Sequence, residues 1–87
     1  MFQNDIKLIN KVMQNYANNG GDSGITHYQM EIDNISIKFK DGAVYTYTDN
    51  KCGKNHIDEM KRLAQHGSGL HSYLTLNCKE CGQPVSN

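Results

Sequence analysis

The strongest constraint on the fold of this chain is an Asp-Gly pair between two strand-like segments. Residues 35–39 alternate between apolar and polar side chains, Asp41 and Gly42 follow, and residues 43–48 form a second strand-like segment. Alternation with a period of two is typical of a half-buried strand, and an Asp-Gly pair between such strands is the strongest short-range signal of a β-hairpin. The centre of the chain is therefore predicted to be an antiparallel hairpin.

The register of this hairpin follows if Asp41 and Gly42 form a two-residue loop. Lys40 then lies opposite Ala43 and Lys38 lies opposite Tyr45, and directly opposed side chains share one face of a sheet. We therefore expect one face to carry Lys38, Lys40, Tyr45 and Tyr47, and the other face to carry Ile37, Phe39, Val44 and Thr46.

The four residues of the first face are the candidate binding residues: Lys38, Lys40, Tyr45 and Tyr47. They have two interpretations. Tyrosine rings beside lysines are typical of a platform on which nucleic-acid bases stack. Tyrosine and lysine are also amphipathic, so these side chains can pack beneath a helix while their polar ends reach water. We favour the packing interpretation.

Apolar periodicity predicts the remaining elements. A helix is predicted over residues 5–18 and a strand over residues 25–32. A second helix is predicted over residues 56–66 and a short third helix over residues 70–77. The predicted fold class is α+β, with an N-terminal helix, a three-stranded antiparallel β-meander, and one or two short helices packed on the sheet. Residues 1–77 are expected to form one domain, with residues 78–87 as a C-terminal tail.

Length and charge narrow the classes of function. The chain has 87 residues, a length typical of one domain, and its formal net charge is +0, which removes the simplest argument for nucleic-acid binding. No apolar run reaches the roughly 18 residues that a membrane span needs. Residues 1–5 contain neither the basic nor the apolar part of a secretory signal. We therefore expect a cytoplasmic protein without a membrane partner.

The three cysteines favour a metal site over disulfides. An odd number of cysteines without a signal peptide is not typical of a disulfide framework. Cys78 and Cys81 are separated by two residues, and Cys52 and His56 by three. Together they make a closed set of three cysteines and one histidine, the kind that holds structural zinc. The alternatives are a redox pair at Cys78 and Cys81, or thiols without a ligand.

The hairpin and the segment after it resemble a known family. The hairpin carries Val44-Tyr45-Thr46-Tyr47, a predicted helix follows, and residues 67–73 read Gly-Ser-Gly-Leu-His-Ser-Tyr. This resembles the KTSC domain family over residues 24–77, in which a central Tyr-x-Tyr is the most recognisable mark. Members occur at the C-terminus of some lysyl-tRNA synthetases and as free-standing small bacterial proteins. The resemblance implies that Tyr45 and Tyr47 are signature residues, and it suggests RNA binding.

The sequence favours binding over catalysis. Ser68 and Ser72 flank His71, but neighbours in sequence are not a catalytic triad, and no Gly-x-Ser-x-Gly elbow is present. We expect a non-enzymatic module that binds a protein partner or itself, of the kind found in small bacterial or phage accessory proteins. The alternatives are an RNA-binding domain that uses the Tyr-x-Tyr face, and a small zinc-stabilised domain.

Overall fold

The computed structural model describes residues 13–19, 24–77 and 81–85. The described residues contain five strands and three helices, in this order: β1 Gln14–Asn15, β2 Ile25–Glu31, β3 Asn34–Phe39, β4 Val44–Thr48, α1 Asp49–Cys52, α2 Lys54–His66, α3 Leu70–Asn77 and β5 Gln83–Pro84. The predicted α+β class is confirmed. None of the described helices is both long enough and apolar enough to cross a membrane.

The five strands form one antiparallel sheet. Their order is β1-β2-β3-β4-β5, so each strand pairs with its neighbour in sequence. The predicted three-stranded meander corresponds to β2, β3 and β4. The prediction has two strands too few, because β1 and β5 extend the sheet at its two edges. Each of these outer strands has two residues, which is too short for an alternating pattern to reveal it in the sequence.

The predicted hairpin register is wrong by one residue. Lys38 lies opposite Val44, Ile37 opposite Tyr45, and Ile35 opposite Tyr47. The loop contains three residues instead of two, because the N–H of Phe39 donates to the carbonyl of Ala43 at 2.8 Å. Its last residue, Gly42, has a φ of 93°, as glycine has in the common three-residue hairpin loop.

A shift of one residue moves every side chain of one strand to the opposite face. Tyr45 and Tyr47 therefore share a face with Ile35 and Ile37, and not with Lys38. The predicted face that combines Lys38, Lys40, Tyr45 and Tyr47 does not form.

The core lies between this face of the sheet and the two longer helices. The buried positions of α2 are Ile57, Met60 and Ala64, which agree with the predicted apolar stripe. The buried residues of α3 are Leu70 and Leu74. With the sheet they form one hydrophobic cluster, which consists of Tyr16, Ile25, Tyr28, Ile35, Ile37, Tyr47, Ile57, Met60, Ala64, Leu70 and Leu74. The opposite, outer face of the sheet carries mostly polar side chains.

The predicted N-terminal helix is wrong for its described part. Residues 5–12 lie outside the described residues, and Gln14–Asn15 is strand β1, which pairs with Tyr28 and His27 of β2. The buried ring of Tyr16 anchors this segment, because its hydroxyl accepts the N–H of Leu70 at 3.3 Å. Pairing with a distant strand has outweighed the local helical periodicity, which is a weak preference.

A disulfide joins Cys52, at the end of α1, to Cys81, just before β5, with a Cα–Cα distance of 5.6 Å. The expectation that the cysteines form no disulfide is therefore wrong for this pair. The sequence did not reveal that the chain returns to the end of α1 after α3. The bond and β5 together hold the described part of the C-terminal segment, residues 81–85, against the sheet.

Candidate functional site

The four predicted binding residues occupy different surroundings. Tyr47 is only 5% exposed and belongs to the core, and Tyr45 is half-buried beside it. Lys38 is half-buried on the outer face of β3, opposite Val44, while Lys40 is exposed in the hairpin loop. The two tyrosines therefore share one face of the sheet, and Lys38 lies on the opposite face.

Two half-buried rings stand at the open end of the core. Phe39 and Tyr45 are neighbours at a centroid distance of 6.0 Å, and their planes meet at 85°. They line a cavity of about 300 Å³ with Tyr47, Asp41 and Ala43. The rings of Phe39 and Tyr45 are thus only partly buried by the core, and the rest of their apolar surface is accessible to a ligand in the cavity.

A second cavity adjoins the first along α3. It measures about 230 Å³ and is lined by Phe39, Tyr47, His71, Leu74 and Thr75. The ring of His71 lies 6.2 Å from that of Phe39. Phe39 and Tyr47 line both cavities. We call the two cavities together the aromatic groove, and its lining residues are Phe39, Asp41, Ala43, Tyr45, Tyr47, His71, Leu74 and Thr75.

The C-terminal segment fixes the floor of the aromatic groove. A Cβ atom at Gly82 would lie 2.7 Å from Cε2 of Tyr47, so the backbone at Gly82 rests directly on the tyrosine ring. Gly82 follows Cys81, which the disulfide ties to Cys52. The position of the Tyr47 ring therefore depends on a covalent bond as well as on the core.

The charge within the groove is negative. Among the lining residues that the structure describes, Asp41 is the one acidic residue, and none is a lysine or arginine. Its Oδ1 accepts the N–H of Ala43 at 3.0 Å, which holds the carboxylate at the turn. The ion pairs of α2 lie elsewhere: a hydrogen bond to Asp58 raises the pKa of Lys54, and one from Arg62 lowers the pKa of Glu59.

The outer face of the sheet offers a different surface. A shallow cavity of about 370 Å³ is lined there by Gln29, Glu31, Asn34, Ser36, Thr46 and Val85. The hydroxyls of Ser36 and Thr46 share a hydrogen bond of 2.8 Å across the strands. None of the described residues that line this cavity has an aromatic ring, so the outer face provides matched control positions on the same strands as the groove.

Comparison of the chain with protein-family models, with curated proteins and with solved structures found no match in any of the three. The resemblance to the KTSC domain family therefore stays a prediction. The candidate site rests on the geometry of the chain's own residues.

The predicted zinc ligands are only partly brought together. Cys52 and Cys81 are neighbours, but as a disulfide they have no thiolate to offer a metal ion. His56 shares a hydrogen bond of 2.7 Å between its Nδ1 and the hydroxyl of Tyr73. Cys78 lies outside the described residues. Within the described ranges, no group of three or more His, Cys, Asp or Glu side chains could hold a metal ion. The zinc site therefore stays a prediction for the reduced chain.

Of the eight described residues that line the groove, only Tyr45 and Tyr47 were predicted as binding residues. Phe39, Asp41 and His71 are the aromatic and charged or titratable side chains among the six that were not. Phe39 was expected to share a face with Ile37, Val44 and Thr46, and the register error separated it from Tyr45. Asp41 was treated only as a turn residue, because its place in the Asp-Gly loop accounts for it without a ligand. His71 carried no signal, because its position depends on how α3 packs beside β3.

Proposed function

We propose that this chain is a non-enzymatic binding module and that it binds a protein partner through the aromatic groove. The observation that carries the proposal is the open edge-to-face pair of Phe39 and Tyr45, which borders a cavity of about 300 Å³. Aromatic residues are enriched at the cores of protein interfaces, where a few large side chains carry most of the binding energy, because each ring buries much apolar area.

The composition of the groove favours protein over RNA. Nucleic-acid binding draws much of its affinity from basic residues that contact phosphates. The described lining of the groove includes Asp41 and no lysine or arginine, and the strand residue Lys38 lies on the other face of the sheet. A polyanion would therefore meet a negative charge at the tyrosines. RNA binding stays an untested alternative. The face that suggested it, with the two lysines beside the two tyrosines, does not form.

The test is a peptide selection with matched variants. The disulfide-bonded protein is immobilised and exposed to a library of random displayed peptides. Enriched peptides are then measured against the wild type, Phe39→Ala, and Val44→Ala, the last being a control on the outer face of β4. We expect a loss of about tenfold or more in affinity for Phe39→Ala and little change for Val44→Ala, since interface anchors cost about 2 kcal/mol when truncated.

Two results would contradict this function. One is a selection without enrichment, or with peptides that bind Phe39→Ala as tightly as the wild type. The other is tight binding of single-stranded RNA that depends on Lys38, which would move the site to the outer face. Circular dichroism and a thermal melt of each variant show whether a loss of binding reflects a loss of fold.

A further inference from the structure

The larger cavity of the aromatic groove has the composition of a site for a positively charged group. Phe39 and Tyr45 form two of its sides with their rings at 85°, and the third ring, Tyr47, is nearly fully buried. The face of an aromatic ring carries partial negative charge, so rings arranged around a cavity attract a cation. Half-buried rings attract it more strongly than exposed rings do, because less water competes.

Asp41 adds a full negative charge to the same cavity. One of its oxygens, Oδ1, is held by the N–H of Ala43, and Oδ2 has no hydrogen-bond or ion-pair partner among the described residues. The described part of the lining contains no lysine or arginine that would neutralise it. Lys40 precedes Asp41 in the loop but does not line the cavity.

We propose that this cavity binds the cationic side chain of an arginine in the partner protein. The inference rests on the proposed function and names the chemistry of that partner. The planar guanidinium stacks against an aromatic ring while its N–H groups donate to the carboxylate of Asp41. Among natural side chains arginine fits best, because it can do both at once, whereas a lysine ammonium is more strongly hydrated.

The adjoining cavity would take the neighbouring residue of the same partner segment. It shares Phe39 and Tyr47 with the first cavity and is otherwise lined by His71, Leu74 and Thr75, so its described lining has no acidic residue. An apolar side chain next to the arginine matches this lining. The partner segment is therefore expected to combine an arginine with an apolar neighbour.

The test compares arginine with its neutral isostere. N-acetylarginine amide and N-acetylcitrulline amide are titrated separately into the disulfide-bonded protein, and the aromatic and backbone resonances are followed by NMR. Citrulline has nearly the same shape but no charge. We expect saturable shifts at Phe39 and Tyr45 with arginine, no saturation over the same range with citrulline, and a weaker effect at high salt because the carboxylate is exposed.

Variants separate the carboxylate from the rings. Asp41→Asn is expected to weaken arginine binding about three- to fivefold, the range of an exposed ion pair. Tyr45→Leu keeps apolar volume but removes the ring, and it is expected to abolish saturation. Val44→Ala, on the outer face of the same strand, should bind as the wild type does.

The outcomes distinguish this inference from the function on which it rests. Equal binding of arginine and citrulline, no saturable binding of arginine, or an unchanged affinity in Asp41→Asn overturns the cation site. If the peptide selection still yields ligands that depend on Phe39 but lack arginine, the module stands and only the cation site fails. If the selection yields no such ligands, both fail.

Discussion

At the scale of single residues, the backbone at Gly82 lies close against the ring of Tyr47, which lines the groove. A Cβ atom at Gly82 would lie 2.7 Å from Cε2 and 2.8 Å from Cζ of that ring. The ring has little room to move, because Tyr47 is 5% exposed and packs within the core. Glycine is therefore required here by space, whereas at Gly42 it is favoured by a φ of 93°.

Gly82→Ala is expected to lower the free energy of unfolding by about 1–3 kcal/mol, the usual cost of overpacking. Urea denaturation followed by circular dichroism measures it. Gly24→Ala is the matched control, because the nearest atom to a Cβ there is His71 Cε1 at 4.0 Å, and its effect should stay within about 0.5 kcal/mol. Equal stability of the two variants would show that the segment at Gly82 does not rest on Tyr47.

At the scale of elements, local patterns were sufficient for the central strands and the two longer helices. The predicted strand over residues 35–39 and helix over residues 70–77 agree with β3, Asn34–Phe39, and α3, Leu70–Asn77. The predicted helix over residues 56–66 ends where α2 ends, at His66, because Gly67 adopts the left-handed conformation that stops it. Each of these signals lies within the element or directly next to it.

The elements that were not predicted, β1 and β5, depend on pairing with distant parts of the chain. β1 exists because Gln14 pairs with Tyr28, and β5 because Gln83 pairs with Thr46. The hairpin register depends on one additional loop residue, and both loop lengths suit an Asp-Gly sequence. That single residue decided the candidate site, because it moved Tyr45 from the side of Lys38 to the side of Phe39.

The observed register predicts an order of stability for two neighbouring positions. Tyr47→Ala is expected to cost about 3–5 kcal/mol, as truncation of a buried aromatic residue does. Thr46→Ala should cost about 1 kcal/mol, since it loses one hydroxyl pair with Ser36 on the outer face. Chemical denaturation of both variants measures the order, and a Tyr47→Ala chain without a cooperative transition counts as the larger loss. A costlier Thr46→Ala would instead support the two-residue loop.

At the scale of the whole molecule, a disulfide links the C-terminal segment, residues 81–85, to the rest of the domain in addition to the main chain. The bond between Cys52 and Cys81 spans 29 residues of sequence, and this span contains α2 and α3. β5 contributes only two paired residues, so pairing alone holds the segment weakly. The disulfide therefore also maintains the floor of the aromatic groove, through Gly82. Such a bond persists in oxidising compartments, so it argues against the cytoplasmic location, which stays a prediction.

Reduction of this disulfide is expected to lower the free energy of unfolding by about 3–4 kcal/mol, the chain-entropy value for a loop of this length. For a domain of this size the melting temperature should fall by roughly 15–25 °C. A thermal melt with and without a phosphine reductant measures the shift. A double variant, Cys52→Ser with Cys81→Ser, should melt at the lower temperature whether or not the reductant is present. An unchanged melting temperature in a chain whose thiols react as free would contradict this role.

Zinc added to the reduced chain tests the predicted set of Cys52, His56, Cys78 and Cys81. Stability regained with zinc, and lost again in Cys78→Ser, would support that site, because a metal ion bound by a site that forms only in the folded chain stabilises that chain.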